Sequence, residues 1–266
     1  MPAKSKIIFL GDVVGSLGRQ AVKEVLPQWQ KKYRPDIVIA NIENLAHGKG
    51  VTIKTLQNMR DAGVGIFTGG NHIWAKHDLN ELASETDFAI CCPANDSRTP
   101  QKYLYQITKI NNQKWVVVAL IGRTFMEDDN SSNPFLKIDK ILPKLPPNAN
   151  IIIDLHAEAT SEKRAMGFYL DGKVSAVLGT HTHIPTADAQ ILPKGTGYLT
   201  DVGMIGPYYS VLGIKTEIII DKFLTDTHIR HELPETGQIE INAVLLEIDN
   251  QTHHTNKIRL MREVID

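Results

Sequence analysis

The chain carries ten histidines. Two of them, His181 and His183, stand two residues apart in "GTHTHIPTAD" (179–188), at the end of an apolar run. Alone, this motif reads either as a polar loop after a strand or as a pair of metal ligands. The other apolar runs decide between them. "KIIFLGD" ends on Asp12. "DIVIANIEN" ends on Asn41, Glu43 and Asn44. "VGIFTGGNHIW" brings Asn71 and His72, and "NIIIDLHAE" brings Asp154, His156 and Glu158. Each cluster has an ordinary explanation: Asp12 as a cap, the asparagines as turn residues, the histidines as satisfied, partly buried side chains. Donors at five such ends are better explained by one metal site. The donors are carboxylate, amide and imidazole without thiolate, a set that suits manganese, iron or zinc. In an extended segment, residues i and i+2 share a face roughly 7 Å apart. His181 and His183 could then reach two metals about 3.5–4 Å apart, the spacing used for phosphoryl transfer.

The elements that must position these groups alternate along the chain. Strand-like runs at 6–12, 36–41, 64–71 and 88–95 are separated by helical patterns at 17–33, 52–63 and 78–85. Pro27 falls inside the first helical pattern and could kink or divide it. "KYLYQITKI" and "QKWVVVALIG" flank Asn111 and Asn112, a hairpin signal. A helix over 134–142 leads to a strand at 150–156, a helix at 160–172 and a strand at 174–183. A hairpin is expected around "PKGTG" within 187–200, and another around "DNQTHHTN" in the tail; "TEIIIDKFL" (216–224) fits helix or buried strand. No repeat, low-complexity tract or linker divides the chain. The pattern predicts one domain over residues 1–266, an α/β fold: a layered α/β/β/α sandwich with mixed sheets and helices on both outer faces. Open α/β sheets bind ligands beyond the carboxyl ends of their strands, where the donors stand.

Composition narrows the function. The 266 residues carry a formal net charge of −1, with 22% charged and 42% hydrophobic residues. That balance lacks the basic footprint of a protein that tracks duplex nucleic acid, so RNA is a conceivable partner that charge does not indicate. The two cysteines, Cys91 and Cys92, are adjacent; they form no disulfide framework and no cysteine-zinc site. "IIFLGDVVG" is interrupted by Asp12 and does not read as a secretory signal. No apolar run approaches the roughly 20 residues of a membrane span. The expectation is a soluble cytoplasmic protein with no membrane partner; a homo-oligomer is compatible with it.

Taken together, the strings "LGDVVG", "NIEN", "GGNHIW", "HAEATSEK", "GTHTHIPTAD" and "TDVGMIGP" resemble the calcineurin-like metallophosphoesterases, and more closely their YmdB-like branch, over about residues 6–265. The wider superfamily's D-x-H motif would place a histidine at position 14, where this chain has Val14, and its bridging Asp position holds Glu43. The YmdB-like pattern accommodates both, with Asn44 in place of the missing histidine. The resemblance implies one metal held by Asp12, Glu43, Asn44 and His183. It implies a second held by Glu43, Asn71, His156 and His181. It also implies a dinuclear phosphodiesterase of cyclic nucleotides, with 2′,3′-cyclic AMP favoured, and iron as the metal, with manganese or zinc as alternatives. The expected reaction is in-line attack by a metal-bridging hydroxide. His72, directly after the ligand Asn71, protonates the departing oxygen as general acid. The competing readings are a non-hydrolytic nucleotide-sensing regulator and a nuclease for short RNA; a serine hydrolase lacks its G-x-S-x-G elbow.

Farther from the metals, Asp154, Glu158 and Asp201 are expected either to orient ligand imidazoles, to be solvated at the surface or to start helices. Lys163 or Arg164 could take a role near phosphate; the favoured reading of both is a solvated helix face. His47 and His77 are candidates for the cleft, and Trp74 for base stacking or packing. His228, His231, His253 and His254 are expected to face solvent.

Overall fold

The computed structural model describes residues 4–76, 87–126, 129–227 and 230–266. The helix expected at 78–85, His77 and His228 lie outside the described residues. Strands β1 (Lys4–Val13), β2 (Ile37–Asn41), β3 (Ile66–Thr68), β4 (Ile90–Cys91), β11 (Met204–Pro207), β12 (Ile239–Asp249) and β13 (Thr255–Ile265) form one sheet, in the order β13-β12-β11-β1-β2-β3-β4. Strands β5 (Gln106–Ile110), β6 (Gln113–Ile121), β7 (Ala149–His156), β8 (Ala176–Thr180), β10 (Gly197–Leu199) and β9 (Gln190–Ile191) form the second, in the order β5-β6-β7-β8-β10-β9. Both are mixed: β1, β2, β3 and β4 run parallel, as do β6, β7, β8 and β10, while the three expected hairpins supply antiparallel edges.

The central strands are apolar on both faces, as strands buried on both sides must be. Ile7 and Phe9 of β1 meet Trp115, Val117, Ile152 and Leu178 of the second sheet in the middle of the sandwich. Ile8 and Leu10 turn the other way, onto helices α1 (Gly15–Tyr33) and α2 (Ile53–Asp61). On the far side, Val116, Val118 and Val177 pack against Ile138 of α3 (Pro134–Ile141) and Met166 of α4 (Thr160–Tyr169). The layers are therefore α/β/β/α. The adjacent cysteines illustrate the alternation: Cys91 enters the middle layer and Cys92 the outer one, and burial pushes both thiols up.

Several local expectations sharpen. Helix α1 passes through Pro27 without dividing. Pro27 lies on the solvent side, where the carbonyl it leaves without a donor can meet water, while Val22, Val25, Leu26 and Trp29 hold the other face to the core. Thr52 starts α2 with a reciprocal Thr52–Thr55 cap, and the chain leaves it through Gly63 at φ 104°. Residues 216–225, open between helix and strand, form helix α5 (Thr216–Thr225). The strand expected over 174–183 ends at Thr180. Among the described residues, no helix is long and apolar enough to cross a membrane.

Candidate metal centre

The carboxyl ends of β1, β2, β3, β7 and β8 meet at one edge of the sandwich. Their registers align the donors: Asp12 pairs with Asn41, Asn41 with Thr68, and His156 with Thr180. A register shift between Leu10 and Asp12 re-aims the end of β1. Gly11 permits it, since a Cβ there would sit 1.8 Å from the carbonyl oxygen of Gly203.

Two groups of donors result. In the first, His156 Nε2 lies 3.2 Å from Glu43 Oε1, 3.1 Å from Asn71 Oδ1 and 3.1 Å from His181 Nδ1. In the second, His183 Nε2 lies 3.8 Å from Asp12 Oδ1 and 3.2 Å from the Asn44 amide. Glu43 stands between them: Oε1 is also 3.2 Å from Asn44 Nδ2, and Oε2 accepts the backbone N–H of His72 at 2.9 Å. All seven residues expected as ligands, and His72, thus come together.

Among the described residues Glu43, His156 and His181 could together hold a metal ion, and three features suit such a role. Ligands at about 2.0–2.2 Å from one ion stand about 3.0–3.5 Å from each other, which is the spacing around His156. The buried Asp12 Oδ1 has no hydrogen-bond partner. And each imidazole spends one nitrogen on an outer partner, turning the other inward. His156 Nδ1 lies 2.9 Å from Thr180 Oγ1, which donates onward to Asp154. His183 Nδ1 donates to the carbonyl of Leu212 at 3.0 Å. His181 Nε2 lies 3.2 Å from Glu158.

The electrostatics follow from burial. Burial pushes Asp12 up to about 6, against the pull of His183 and His156. Burial also opposes ionisation of Glu43, but the His156 and His72 rings outweigh it and hold the carboxyl well below the usual range. Burial works against charge on His156, yet Glu43, Asp12 and Asp154 push it up to about 9. Burial and His156 drive His181 down to about 3. His156 is therefore held in its charged form when no cation is present, and ligation through its Nε2 must displace that proton.

The structure changes several expectations. His181 and His183 are delivered by a turn with φ 100° and 65°, and not by an extended segment. The turn brings both residues against Asp12, whose Oδ2 accepts the N–H of His181 at 3.2 Å and whose Oδ1 lies 3.8 Å from His183 Nε2. The Asn44 amide presents Nδ2 to His183 and Glu43, and its Oδ1 to His72 at 3.1 Å. A half-turn of the amide exchanges the two atoms without moving the side chain, and ligation requires it.

Lys163 is no solvated residue: it is 1% exposed and donates to Asp201 at 2.6 Å and to the carbonyl of Thr180 at 2.8 Å. Among the described residues Asp201 hydrogen-bonds no imidazole; it also accepts the N–H groups of Thr182 and Gly203 and so braces the histidine turn. Asp154 acts through Thr180, with Thr68 and Asn41 as its other donors. Trp74 packs on the core beneath the Arg98 guanidinium, 5.0 Å away. His47 is exposed on the 42–50 loop, and His253 is half-buried against Asn150 at 2.8 Å.

Sequence reasoning missed the outer partners Thr180 and Leu212, and it missed Gly70. A Cβ on Gly70 would lie 2.3 Å from Glu43 Oε2 and 2.4 Å from His156 Nε2, so the double glycine of "GGNH" was its signal. Beside the donors opens a cleft of about 640 Å³, lined among others by Asn71, His72, Arg98, Phe125 and His181.

Known proteins share this architecture. The Bacillus subtilis (strain 168) protein named 2′,3′-cyclic-nucleotide 2′-phosphodiesterase is 44% identical over 255 residues, 95% of each chain. The crystal structure of a Mycoplasma pneumoniae phosphatase superposes with a TM-score of 0.92 at 35% identity, covering 100% of this chain and 95% of its own. A Thermus thermophilus protein of known structure gives 0.90 at 34%, covering 98% and 100%. The sequence profile of the family described as "YmdB-like protein" matches residues 8–261, and on these findings the chain belongs to the YmdB-like family of the metallophosphoesterase fold.

Proposed function

We propose that this chain is a dinuclear metal-dependent phosphodiesterase acting on cyclic nucleotides, with 2′,3′-cyclic AMP as its substrate. The observation that carries this reading is the inward turn of three imidazoles, each held by an outer partner, onto Glu43 at the edge of an open cleft. The name of the B. subtilis relative supports the substrate class.

Asp12, Glu43, Asn44 and His183 would hold one ion; Glu43, Asn71, His156 and His181 would hold the other. Iron is the first choice, with manganese or zinc also fitting the donors. Bound there, divalent ions supply Lewis acidity toward phosphate oxygens and a water acidic enough to act as nucleophile near neutral pH. Asp12 and Glu43 bring only two negative charges, so the loaded site keeps a positive balance that draws in a phosphodiester anion. His72 is the general acid. Its Nδ1 is engaged by Asn44 and Glu43, at 3.1 and 3.3 Å, and Nε2 carries the proton to the departing sugar oxygen. The ring is one-third exposed, within reach of substrate.

The test is a panel of 2′,3′- and 3′,5′-cyclic nucleotides with protein loaded with iron, manganese or zinc. Turnover of 2′,3′-cyclic AMP to 3′-AMP is expected, lost on chelation and restored by metal. Binding without product, or hydrolysis that survives complete chelation, would defeat the reading.

A further inference from the structure

Phe125 is 84% exposed, on the loop that follows β6, and lines the same cleft as Asn71, His72 and His181. Water-facing phenyl rings are common singly and mean little alone. This one is held out at a backbone cost: its φ is 62°, a left-handed conformation that a bulky residue seldom adopts. The strained loop is also anchored from behind. Glu162, in the first turn of α4, accepts the N–H of Arg123 at 3.1 and 3.0 Å with its two oxygens, and that of Thr124 at 3.1 Å. Among the described residues, Phe125 stacks on no other ring. The rest of the cleft wall is largely polar, with Arg98 fastened to Asp96 at 2.9 and 2.5 Å.

A rigid phenyl at the mouth of a polar cleft, beside a phosphate-attracting centre, suits a ligand with an anionic end and a flat apolar face. A nucleotide has both. We propose that Phe125 is the nucleobase platform of this cleft and stacks on the purine ring of the substrate; this rests on the phosphodiesterase reading above. Stacking strength grows with ring size, so the platform favours purine over pyrimidine cyclic nucleotides.

The experiment compares wild type, Phe125→Ala and Phe125→Trp, each metal-loaded. Two substrates are used: 2′,3′-cyclic AMP, and glycerol 1,2-cyclic phosphate, which has no base. Binding of 3′-AMP is measured by calorimetry in parallel. Phe125→Ala should raise KM for 2′,3′-cyclic AMP and weaken 3′-AMP binding by about tenfold or more, with a much smaller effect on the base-free substrate. Phe125→Trp should restore both. Equal losses on the two substrates, or 3′-AMP binding within twofold of wild type in Phe125→Ala, would overturn the platform. A wild-type protein inert toward every cyclic diester, yet binding 3′-AMP in a Phe125-dependent way, would refute the phosphodiesterase reading while upholding the platform.

Discussion

Replacing Lys163 by methionine removes one ammonium group far inside the protein and leaves the volume of the side chain nearly unchanged. In the native structure that group donates to Asp201 at 2.6 Å and to the Thr180 carbonyl at 2.8 Å, with Lys163 1% and Asp201 0% exposed. The variant strands a buried carboxylate beside a carbonyl that has lost a donor. Breaking a buried pair from one side costs about 3–5 kcal/mol. Asp201 keeps the Thr182 and Gly203 N–H groups, which favours the lower end. At the size of this chain, about 3 kcal/mol corresponds to roughly 6–12 °C in Tm. Function should suffer separately. The turn holding His181 at φ 100° and His183 at φ 65° is strained, and Lys163 and Asp201 grip it from beneath. Without the brace, metal affinity should fall by about 10–100-fold. Urea denaturation measures the first effect and calorimetric titration with Mn²⁺ the second. Lys163→Met/Asp201→Asn should recover much of the lost stability, because it removes the stranded charge, while recovering little metal affinity. A loss below about 1 kcal/mol in the single variant, with unchanged metal affinity, would refute this account of the turn.

Gly70→Ala should fold but bind metal poorly and lose activity by at least about 100-fold, since its Cβ would press within 2.4 Å of Glu43 and His156; tight metal binding with normal turnover would contradict this. His72→Ala, fully metal-loaded, should lower kcat for 2′,3′-cyclic AMP by about 10²–10⁴, and much less for a diester with a nitrophenol leaving group, which needs no acid. Equal losses on both would point to phosphate orientation instead. Metal binding at pH 7.5 should release about one proton per protein, seen in calorimetry across buffers of different ionisation enthalpy. His156 sits at about 9 without metal and must be neutral to ligate. Apparent affinity should therefore rise about tenfold per pH unit up to about pH 9 and then flatten. In the metal-free protein the same raised value stabilises the fold fully below its ordinary 6.5, and that contribution is lost as pH climbs through about 9. A pH-independent metal affinity between 7 and 9 would be inconsistent with it.

The donors were legible in the sequence because their signal is local. Asp12, Glu43, Asn71, His156 and His181 each follow an apolar run, and an apolar run that ends abruptly in carboxylate, amide or imidazole marks both a strand and its mouth. The layered fold was legible for the same reason: strand and helix periods alternate, and Asn111–Asn112 and the tail announce their turns. What tertiary structure alone decided is how these groups are held. Lys163 looks like any charge on a helix face; only the packing of α4 beneath the β8 turn gives it Asp201 and excludes water. The Leu212 carbonyl that orients His183 has no side-chain signature at all, since every residue offers one. The positive φ of His181 and His183 is uncommon for any residue other than glycine. It survives because contacts from more than a hundred residues away in the chain, Asp12 among them, over-determine it. Residue type and period belong to the chain; strain and burial exist only once distant segments close on one another.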